Sequence, residues 1–549
     1  MKTQKQWCSV LRRMGYVVCA GVLAWVSATV CMTGGCSREH YKEEADKEVY
    51  QILDNKWRPH FGTMANYQIS DGEPNVPDIM AMVPSSGVLT LADAVGMATR
   101  YNRGYQREKE SLYLSALSLT DTRHRYEQQW FGTVDAAYTD DMGRDTETAT
   151  LDSTIGVNKE FLLGQGIQIG ARVAVDWARF LLGDPRTSLG SVMSATLTAP
   201  LLGAGAGKAA RENLTQAELT VLYRIRTFNR YRQQFVTDMV DAYYGVLLAR
   251  ARLDITEASH KRLVQSTDQI RMEVEVGRRP AYDLGEAEQS LLSSENRLIT
   301  TRQGYEQTLD NFKMARLSLP TELDITLDLN ELSALETIGV TEPNYTEGEA
   351  IALALEQRLD LANTRDGVDD VERKLILAAE GLGPQIDLVG SANAESTPET
   401  EWTRLRFHDG IYSLGIEADL ALDQKGQRNA YREALIRVQQ SHRNYDEQVE
   451  QIRLDVRKAY RDLRAAAETY RIQTMGLSLA KQRVEVEKLS LEFSRGTVRL
   501  LLNSEDALRE AENAAIEALV NHTITKLRFF RDIGVLQVKP DGMWEQTAK

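Results

Sequence analysis

The chain has 549 residues, with 65 Lys and Arg against 79 Asp and Glu, and only 12 Pro and 4 Cys. All four cysteines lie within the first 36 residues, which excludes a disulfide framework, a Cys-ligated metal site and a thiol nucleophile from the rest of the chain. Without residues 1–35 the balance becomes 61 basic against 79 acidic residues, a net charge of −18, so a nucleic-acid-binding surface is not expected. The scarcity of Pro and of aromatic residues favours long helices.

The amino terminus, residues 1–35, has the pattern of a secretory signal peptide. A basic region ends at Arg12-Arg13, an apolar stretch follows, and Gly34-Gly35 precede Cys36. Because this ending resembles a bacterial lipobox, we predict cleavage before Cys36 and lipidation of Cys36. An uncleaved membrane anchor is the alternative, since the apolar stretch is about long enough to span a bilayer. The polar residues 36–88 would then form a tether and linker.

Two stretches of the chain carry an apolar repeat of 3.5 residues, which is typical of supercoiled helices. One lies within 426–494 and steps by 4 and 3 through Ile452, Val456 and Leu463, and the other begins at Phe235 and weakens towards Val274. Each stretch ends at a glycine, Gly277 or Gly496. We expect these glycines to take the left-handed conformation that closes a helix, with a second helix following at once. Each unit would then be a long helical hairpin.

Segments with the composition of β-strands precede both of these long helical stretches, which we call the rods. There are four in the first half, FGTVDAAYTD, STIGVNKEFL, GIQIGARVAVDW and SVMSATLTAPLL, and two in the second, PQIDLVGSANAE and IYSLGIEADLAL. Their lengths suit membrane-spanning strands. Apolar and polar residues alternate well in IYSLGIEADLAL and poorly in SVMSATLTAP. Aromatic residues near the strand ends indicate an interfacial belt. The alternative is a soluble β-meander in which these aromatics belong to the core. They are Trp130, Phe131, Trp177, Phe180, Trp402, Phe407 and Tyr412.

The order helix, strands, long hairpin occurs twice, and both copies open alike, with TLADAVGMATRYN at 90–102 and TEGEAIALALEQR at 346–358. A set of two or six strands cannot stay open in lipid, so the chain must oligomerise to close its sheet. The predicted organisation is a signal peptide (1–35), a tether (36–88), a first repeat (89–331), a linker (332–344), a second repeat (345–537) and a tail (538–549).

This duplicated order resembles the TolC-like outer-membrane efflux family over about residues 89–537. The Ala-Tyr pairs at 242–243 and 459–460 carry the likeness, together with the first tip, where Asp283, Leu284 and Ala287 follow Gly277. The second tip keeps Gly496, Thr497 and Ala507 but has Leu502 where an acid would correspond to Asp283. An extra strand pair at about 151–178 departs from the simplest family pattern, and it could either lengthen the barrel or stand outside it as a hairpin.

The resemblance implies a fold that is mainly α with β: duplicated helical hairpins forming a trimeric α-barrel tunnel, and strands contributing to a shared transmembrane β-barrel. It implies an outer-membrane lipoprotein channel that extends into the periplasm. Such a homotrimer is a passive conduit for small molecules or proteins, and it works with a periplasmic adaptor and an inner-membrane pump. The alternative is a lipid-anchored periplasmic coiled-coil scaffold without a pore.

The hairpin tips are the candidate functional sites. Adaptor docking is expected at the tip residues Gly277, Arg278, Arg279, Pro280, Gly496, Thr497 and Arg499. Asp283 and Glu286 are the candidates for an acidic ring at the periplasmic aperture. The segment LLGAGAGKAAREN (201–213) lacks the spacing of a phosphate-binding loop and predicts a strand-to-helix turn. No pattern of catalytic or metal-ligating residues is present in the sequence, so no enzyme, cofactor or metal site is predicted.

Overall fold

The computed structural model describes residues 37–62, 65–70, 82–141, 146–161, 167–180, 187–202, 206–320, 323–340, 345–397, 401–420, 422–493 and 495–546. The predicted signal peptide and Cys36 lie outside these ranges. The chain divides into two compact units, Met1–Asn55 and Lys56–Lys549. Helix α1 (Arg38–Phe61) begins in the first unit, and the second unit carries all the other helices and strands.

Both halves of the second unit contain two short helices, a set of strands and two long helices, in that order. The helices of the first half are α2 (Leu91–Tyr101), α3 (Arg103–His124), α4 (Ala206–Glu275) and α5 (Ala281–Phe312). Helix α6 (Asn330–Ile338) lies between the halves. The helices of the second half are α7 (Glu347–Gln357), α8 (Leu359–Glu380), α9 (Lys425–Glu492) and α10 (Val498–Asp532).

The strands of the first half are β2 (Gln129–Asp141), β3 (Thr146–Phe161), β4 (Ile167–Phe180) and β5 (Thr187–Leu202). Those of the second half are β7 (Gln385–Thr397), β8 (Glu401–Leu405) and β9 (Ile411–Asp419). Two short pairs complete the fold: β1 (Val88–Leu89) with β6 (Thr326–Leu327), and β10 (Leu536–Val538) with β11 (Trp544–Gln546). Among the described residues, none of the helices has both the length and the apolarity to cross a bilayer.

The two repeats open with the same capping chemistry. The Thr90 hydroxyl accepts a hydrogen bond from the Asp93 amide, and the Asp93 carboxylate accepts one from the Thr90 amide. Thr346 and Glu349 form the same reciprocal capping box at the start of α7. Because each box satisfies amides that a helix start leaves unpaired, these Thr-x-x-acid segments begin helices at equivalent points of the duplication.

The two rods are continuous helices of 70 and 68 residues, α4 and α9, each about 100 Å long at 1.5 Å per residue. The apolar repeat of α9 supplies its buried side, including Ile452, Val456 and Leu463. Helix α4 is buried along a wider face that includes Met239 and Val246. The predicted fold class, mainly α with β and built on duplicated long hairpins, is confirmed.

The helices of one chain form a layer with two different ends. Towards the tips α5 packs on α4, α4 packs on α10, and α10 packs on α9. Nearer the sheet, α3 packs on α4, α4 on α8, and α8 on α9. Four helices therefore lie side by side at each level, with α9 at one end of the layer and α5 or α3 at the other.

The six long strands form one antiparallel sheet in the order β2-β3-β4-β5-β7-β9, and β8 pairs with the far end of β7. Strands β3 and β4 correspond to the extra strand pair, and both are hydrogen-bonded into the sheet between β2 and β5 over 12 to 14 residues. The pair therefore joins the sheet rather than hanging from its edge. Strand β5 ends at Leu202 and α4 begins at Ala206, so the segment 201–213 is a strand-to-helix junction as predicted.

Candidate functional site: the hairpin tips

The first tip, between α4 and α5, closes as the sequence predicts. Gly277 has φ +75° and donates from its amide to the Val274 carbonyl at 2.9 Å, while the Arg278 amide donates to the Glu273 carbonyl at 2.9 Å. A residue with a Cβ is disfavoured in this left-handed conformation. Pro280 then precedes the first turn of α5, where a missing amide proton costs nothing.

The second tip, between α9 and α10, uses its glycine differently, and the prediction of a left-handed Gly496 is wrong. Its backbone lies outside the left-handed region. A Cβ at Gly496 would lie 3.2 Å from both the Ser490 side chain and the Leu491 backbone nitrogen, so this position needs glycine for close approach. The Thr497 hydroxyl caps α10 by accepting from the Leu500 amide at 3.4 Å.

Arg279 organises the charges of the first tip. Its guanidinium donates to Glu273, lies 3.8 Å from Asp283, and donates to the Leu491 carbonyl of the other hairpin at 3.1 Å. Burial raises the pKa of Glu273, but hydrogen bonds from Arg279 and Gln269 outweigh it, so the net pKa is lowered. Arg279 therefore links the two tips as well as neutralising acids.

The two predicted aperture carboxylates both have arginine partners. Asp283 is 8% exposed and faces Arg279, whereas Glu286 accepts from Arg499 of the second tip, with Nε at 3.1 Å. The Arg499 pair is a second connection between the hairpins. By contrast Arg278, Pro280 and Thr497 are exposed. Both predicted aperture carboxylates are therefore compensated by arginines.

Beneath these charges the two tips share one apolar core. Its members come from all four long helices and are Leu263, Ile270, Ala287, Leu491, Val498, Leu501 and Leu502. Leu502 stands where the first tip has Asp283, and it is buried. Because the second tip has Leu502 in place of an acid, this position adds an apolar side chain to the core that joins the two hairpins.

A buried carboxylate that sequence reasoning missed lies one turn away. Glu505 is 1% exposed, and it accepts from Arg262 Nε on α4 at 2.8 Å and faces Lys488 Nζ on α9 at 3.2 Å. This triad joins α4, α9 and α10. Its signal was present in the sequence, because Glu505 follows Leu501 by four residues and precedes Leu508 by three, on the apolar side of α10.

Comparison with known proteins identifies the family. The family model described as outer membrane efflux protein matches residues 177–314 and 350–523, more than half of the chain. Among curated proteins, the alkaline protease secretion protein AprF of Pseudomonas aeruginosa is 23% identical over 345 residues, covering 62% of this chain and 69% of AprF.

Solved outer-membrane channels share the fold. The outer membrane protein VceC of Vibrio cholerae matches with a TM-score of 0.59 at 11% identity, over 84% of this chain and 99% of VceC. The open state of the MtrE outer membrane channel of Neisseria gonorrhoeae matches with a TM-score of 0.59 at 14% identity, over 81% of this chain and 88% of MtrE.

The fold and the paired hairpin tips define an outer-membrane export channel. The chain belongs to the outer membrane efflux protein family. It is an outer-membrane channel protein of efflux or secretion systems that extends into the periplasm, as the resemblance implied. The alternative of a coiled-coil scaffold without a pore is not supported by this family.

Proposed function

We propose that the protein works as a homotrimer whose three chains close one tunnel and one barrel. The main supporting observation is that the helical layer and the sheet of each chain both end in two different, unpaired elements. The helical layer ends in α9 on one side and in α5 or α3 on the other, and the sheet ends in β9 and β2. Unlike ends that meet head to tail generate a closed ring if the rotation closes.

Exposed apolar residues support contact between copies. On α9 a second heptad stripe faces outward, distinct from the buried one, and consists of Ile472, Met475, Leu479, Val486 and Leu489, continued by Phe493 directly after the helix. On α5, Leu292 and Ile299 are exposed and one heptad apart. Apolar stripes at this spacing form helix–helix seams. We therefore assign the outward side of α9 to α5 of the next copy.

The tips are proposed to dock a periplasmic adaptor that connects the channel to an inner-membrane pump. Arg278, Pro280 and Thr497 are exposed at the turn of a rigid hairpin, which suits them to meet a partner. The channel itself is passive, and the pump supplies the energy for export of small molecules or proteins. An Arg278→Glu variant should lose export in cells while the purified channel keeps its conductance; loss of conductance would instead indicate a folding defect.

Asp283 and Glu286 are proposed to set ion selectivity at the aperture. Since each carboxylate has an arginine partner, we expect a modest cation preference. Replacing both with Ala should lower the cation preference in planar-bilayer recordings. An unchanged reversal potential would reject this role.

Lipidation at Cys36 is proposed to anchor the amino terminus in the outer membrane. The evidence is the sequence Gly34-Gly35-Cys36 after an apolar stretch. Mass spectrometry of the purified protein should find a diacylated or triacylated amino-terminal Cys36. An intact bond between Gly35 and Cys36, or an unmodified Cys36, would reject the proposal.

The decisive test of the trimer is the mass and image of the purified particle. Light scattering in detergent and electron microscopy should give three chains in a hollow cylinder. A monomer or dimer without a central channel would reject the assembly. This measurement needs no knowledge of the adaptor, the pump or the cargo.

A further inference from the structure

Strands β3 and β4 occupy the middle of the sheet of each chain. Strand β3 pairs with β2 from Thr146 to Asn158, and β4 pairs with β5 from Gln168 to Arg179. For β2 to meet β5 directly, both inner strands would have to leave the sheet and break two ladders of hydrogen bonds. The extra strand pair is thus an interior part of one continuous sheet, whose edge strands are β2 and β9.

The cross-strand register gives this sheet one apolar and one polar face across all six strands. The apolar face carries Trp130, Val134, Ala136, Tyr138, Ala149, Leu151, Ile155, Val157, Ile169, Ala171, Val173, Val175, Leu189, Met193, Ala195, Leu197, Leu388, Ala392, Ala394, Tyr412, Leu414, Ile416 and Ala418. Among the residues whose side chains the structure describes, its exceptions include Gly132, Gly390, Ser153, Lys159 and Ser191. At one end of the strands the register also brings the backbone positions of Asp140, Glu147 and Arg179 to this side. The pattern includes SVMSATLTAP, in which Met193, Ala195 and Leu197 fall on the apolar side and Val192 falls on the opposite side.

The opposite face is polar, and β3 and β4 contribute to it as much as the others. Asp135, Asp152 and Asp176 lie directly opposite one another on β2, β3 and β4, and all three are exposed. Like charges in facing positions are destabilising unless water surrounds them. Arg172 on β4 donates to the Ser194 hydroxyl on β5 at 2.8 Å. A polar face next to an apolar one is the pattern of a barrel wall between a lumen and lipid.

We infer that all six strands of each chain span the outer membrane, so that three chains close a barrel of eighteen strands rather than twelve. This inference rests on the proposed trimer. In each chain β2 and β9 run in opposite directions, because the six strands alternate along the sheet. Strand β9 of one copy therefore meets β2 of the next as an antiparallel pair, and both open edges disappear.

An eighteen-stranded barrel is wider than a twelve-stranded one. With strands about 4.8 Å apart and tilted by about 40°, eighteen strands give a backbone diameter of about 36 Å, whereas twelve give about 24 Å. Barrels of this size leave an aqueous channel. The outer-membrane section then restricts cargo size less than a twelve-stranded wall would.

Electron cryo-microscopy of the full-length protein in nanodiscs tests the inference. The expected result is a trimer with eighteen strands and a wall diameter of about 36 Å. A trimer with a twelve-stranded wall of about 24 Å and an external hairpin would overturn the inference while leaving the proposed trimer intact. A particle without threefold assembly would overturn both.

A labelling experiment gives a second measurement at two adjacent positions of β4. Val173 lies on the apolar face and Ala174 on the polar face. In liposomes, Ala174→Cys should react with a water-soluble maleimide, whereas Val173→Cys should be shielded by lipid and react at least tenfold more slowly. Equal, rapid labelling at both positions would show that β4 stands in water outside the membrane. The parent chain, labelled in parallel, measures the background from Cys36.

The row of aspartates adds a functional readout. If β3 lines the lumen, Asp152→Asn should shift the reversal potential in bilayer recordings towards lower cation preference. A matched change on the lipid side, Ser153→Ala, should leave the reversal potential unchanged. No effect of Asp152→Asn would count against a lumenal position for β3.

Discussion

The two tip glycines differ in what makes them necessary, and substitutions can separate the reasons. Gly277 has a left-handed backbone with open space where a Cβ would lie, whereas Gly496 has an ordinary φ but backbone atoms 3.2 Å from that position. Asn tolerates the left-handed conformation better than Ala does. We therefore expect Gly277→Ala to cost about 1 kcal/mol of unfolding free energy and Gly277→Asn less.

At Gly496, by contrast, asparagine should be no better tolerated than alanine. Both Gly496→Ala and Gly496→Asn should destabilise by about 1–3 kcal/mol, because either Cβ presses on the Ser490–Leu491 backbone. Thermal unfolding of the four purified variants measures the effects. Rescue of Gly496 by Asn would contradict the close-approach explanation.

Lys109 on α3 is buried, and no carboxylate of the described residues forms an ion pair with it. It is 2% exposed, lies 5.3 Å from the centre of the Tyr105 ring, and has Asn66 Oδ1 3.5 Å from its ammonium nitrogen. Burial, followed by repulsion from Arg100 and Arg232, lowers its pKa to about 8. The folded protein therefore disfavours the charged form, and the penalty is fully present below pH 8. It decreases as the pH rises towards the unfolded pKa of about 10.4.

This sign gives a pH-dependent prediction. Lys109→Met should raise the unfolding free energy at pH 7 by up to about 3 kcal/mol, and the gain should shrink by pH 9.5. Unfolding midpoints at the two pH values measure the change. Lys425→Met, at an exposed lysine, is the matched control and should show no such pH dependence. A gain for Lys109→Met that is equal at both pH values would contradict the explanation.

At the scale of elements, the Glu505 triad joins three long helices. Its loss leaves Arg262 and Lys488 without their shared partner, so Glu505→Gln should destabilise by about 2–4 kcal/mol. In an Arg262→Met background the same change should cost less, and the difference is the coupling energy. Chemical denaturation of the four chains of this cycle provides the measurement.

Glu517 offers a matched control on the same pair of helices. It forms an exposed ion pair with Arg252 at 2.6 Å, again between α10 and α4. Exposed pairs contribute about 0–1 kcal/mol, so Glu517→Gln should have little effect. If both glutamates gave equal losses, burial would not be what makes Glu505 important.

The long elements follow from local sequence, whereas the contacts between them do not. The 3.5-residue repeat through Ile452, Val456 and Leu463 determines which side of α9 is buried, and the Thr-x-x-acid boxes determine where α2 and α7 begin. The function of Gly496 was not predictable, because it depends on how closely the chain returns to Ser490. The arginine partner of Glu286 was also hidden, since Arg499 reaches it from the other hairpin. The partner of Asp283 was not, because Arg279 precedes it by four residues.

At the scale of the whole molecule, alternation within one strand is a weaker guide than agreement across a sheet. Read alone, SVMSATLTAP alternates poorly. Once its register with β4 and β7 is known, Met193, Ala195 and Leu197 lie level with Val173, Ala171 and Ile169. The faces of a sheet are defined by all its strands together, so the extra pair could be placed only after the register was known.

The proposed trimer uses the outward stripe on α9, whose apolar residues a single chain leaves in water. Leu479 is 64% exposed in the middle of this stripe. Leu479→Asp should therefore leave the fold of the single chain unchanged but place a charge in the seam with α5 of the next copy, where it lacks a partner. We expect light scattering to show dissociation into monomers, with unchanged helicity by circular dichroism. Lys481→Asp, an exposed position outside the stripe, should remain trimeric. A stable Leu479→Asp trimer would mean that the chains meet through another face.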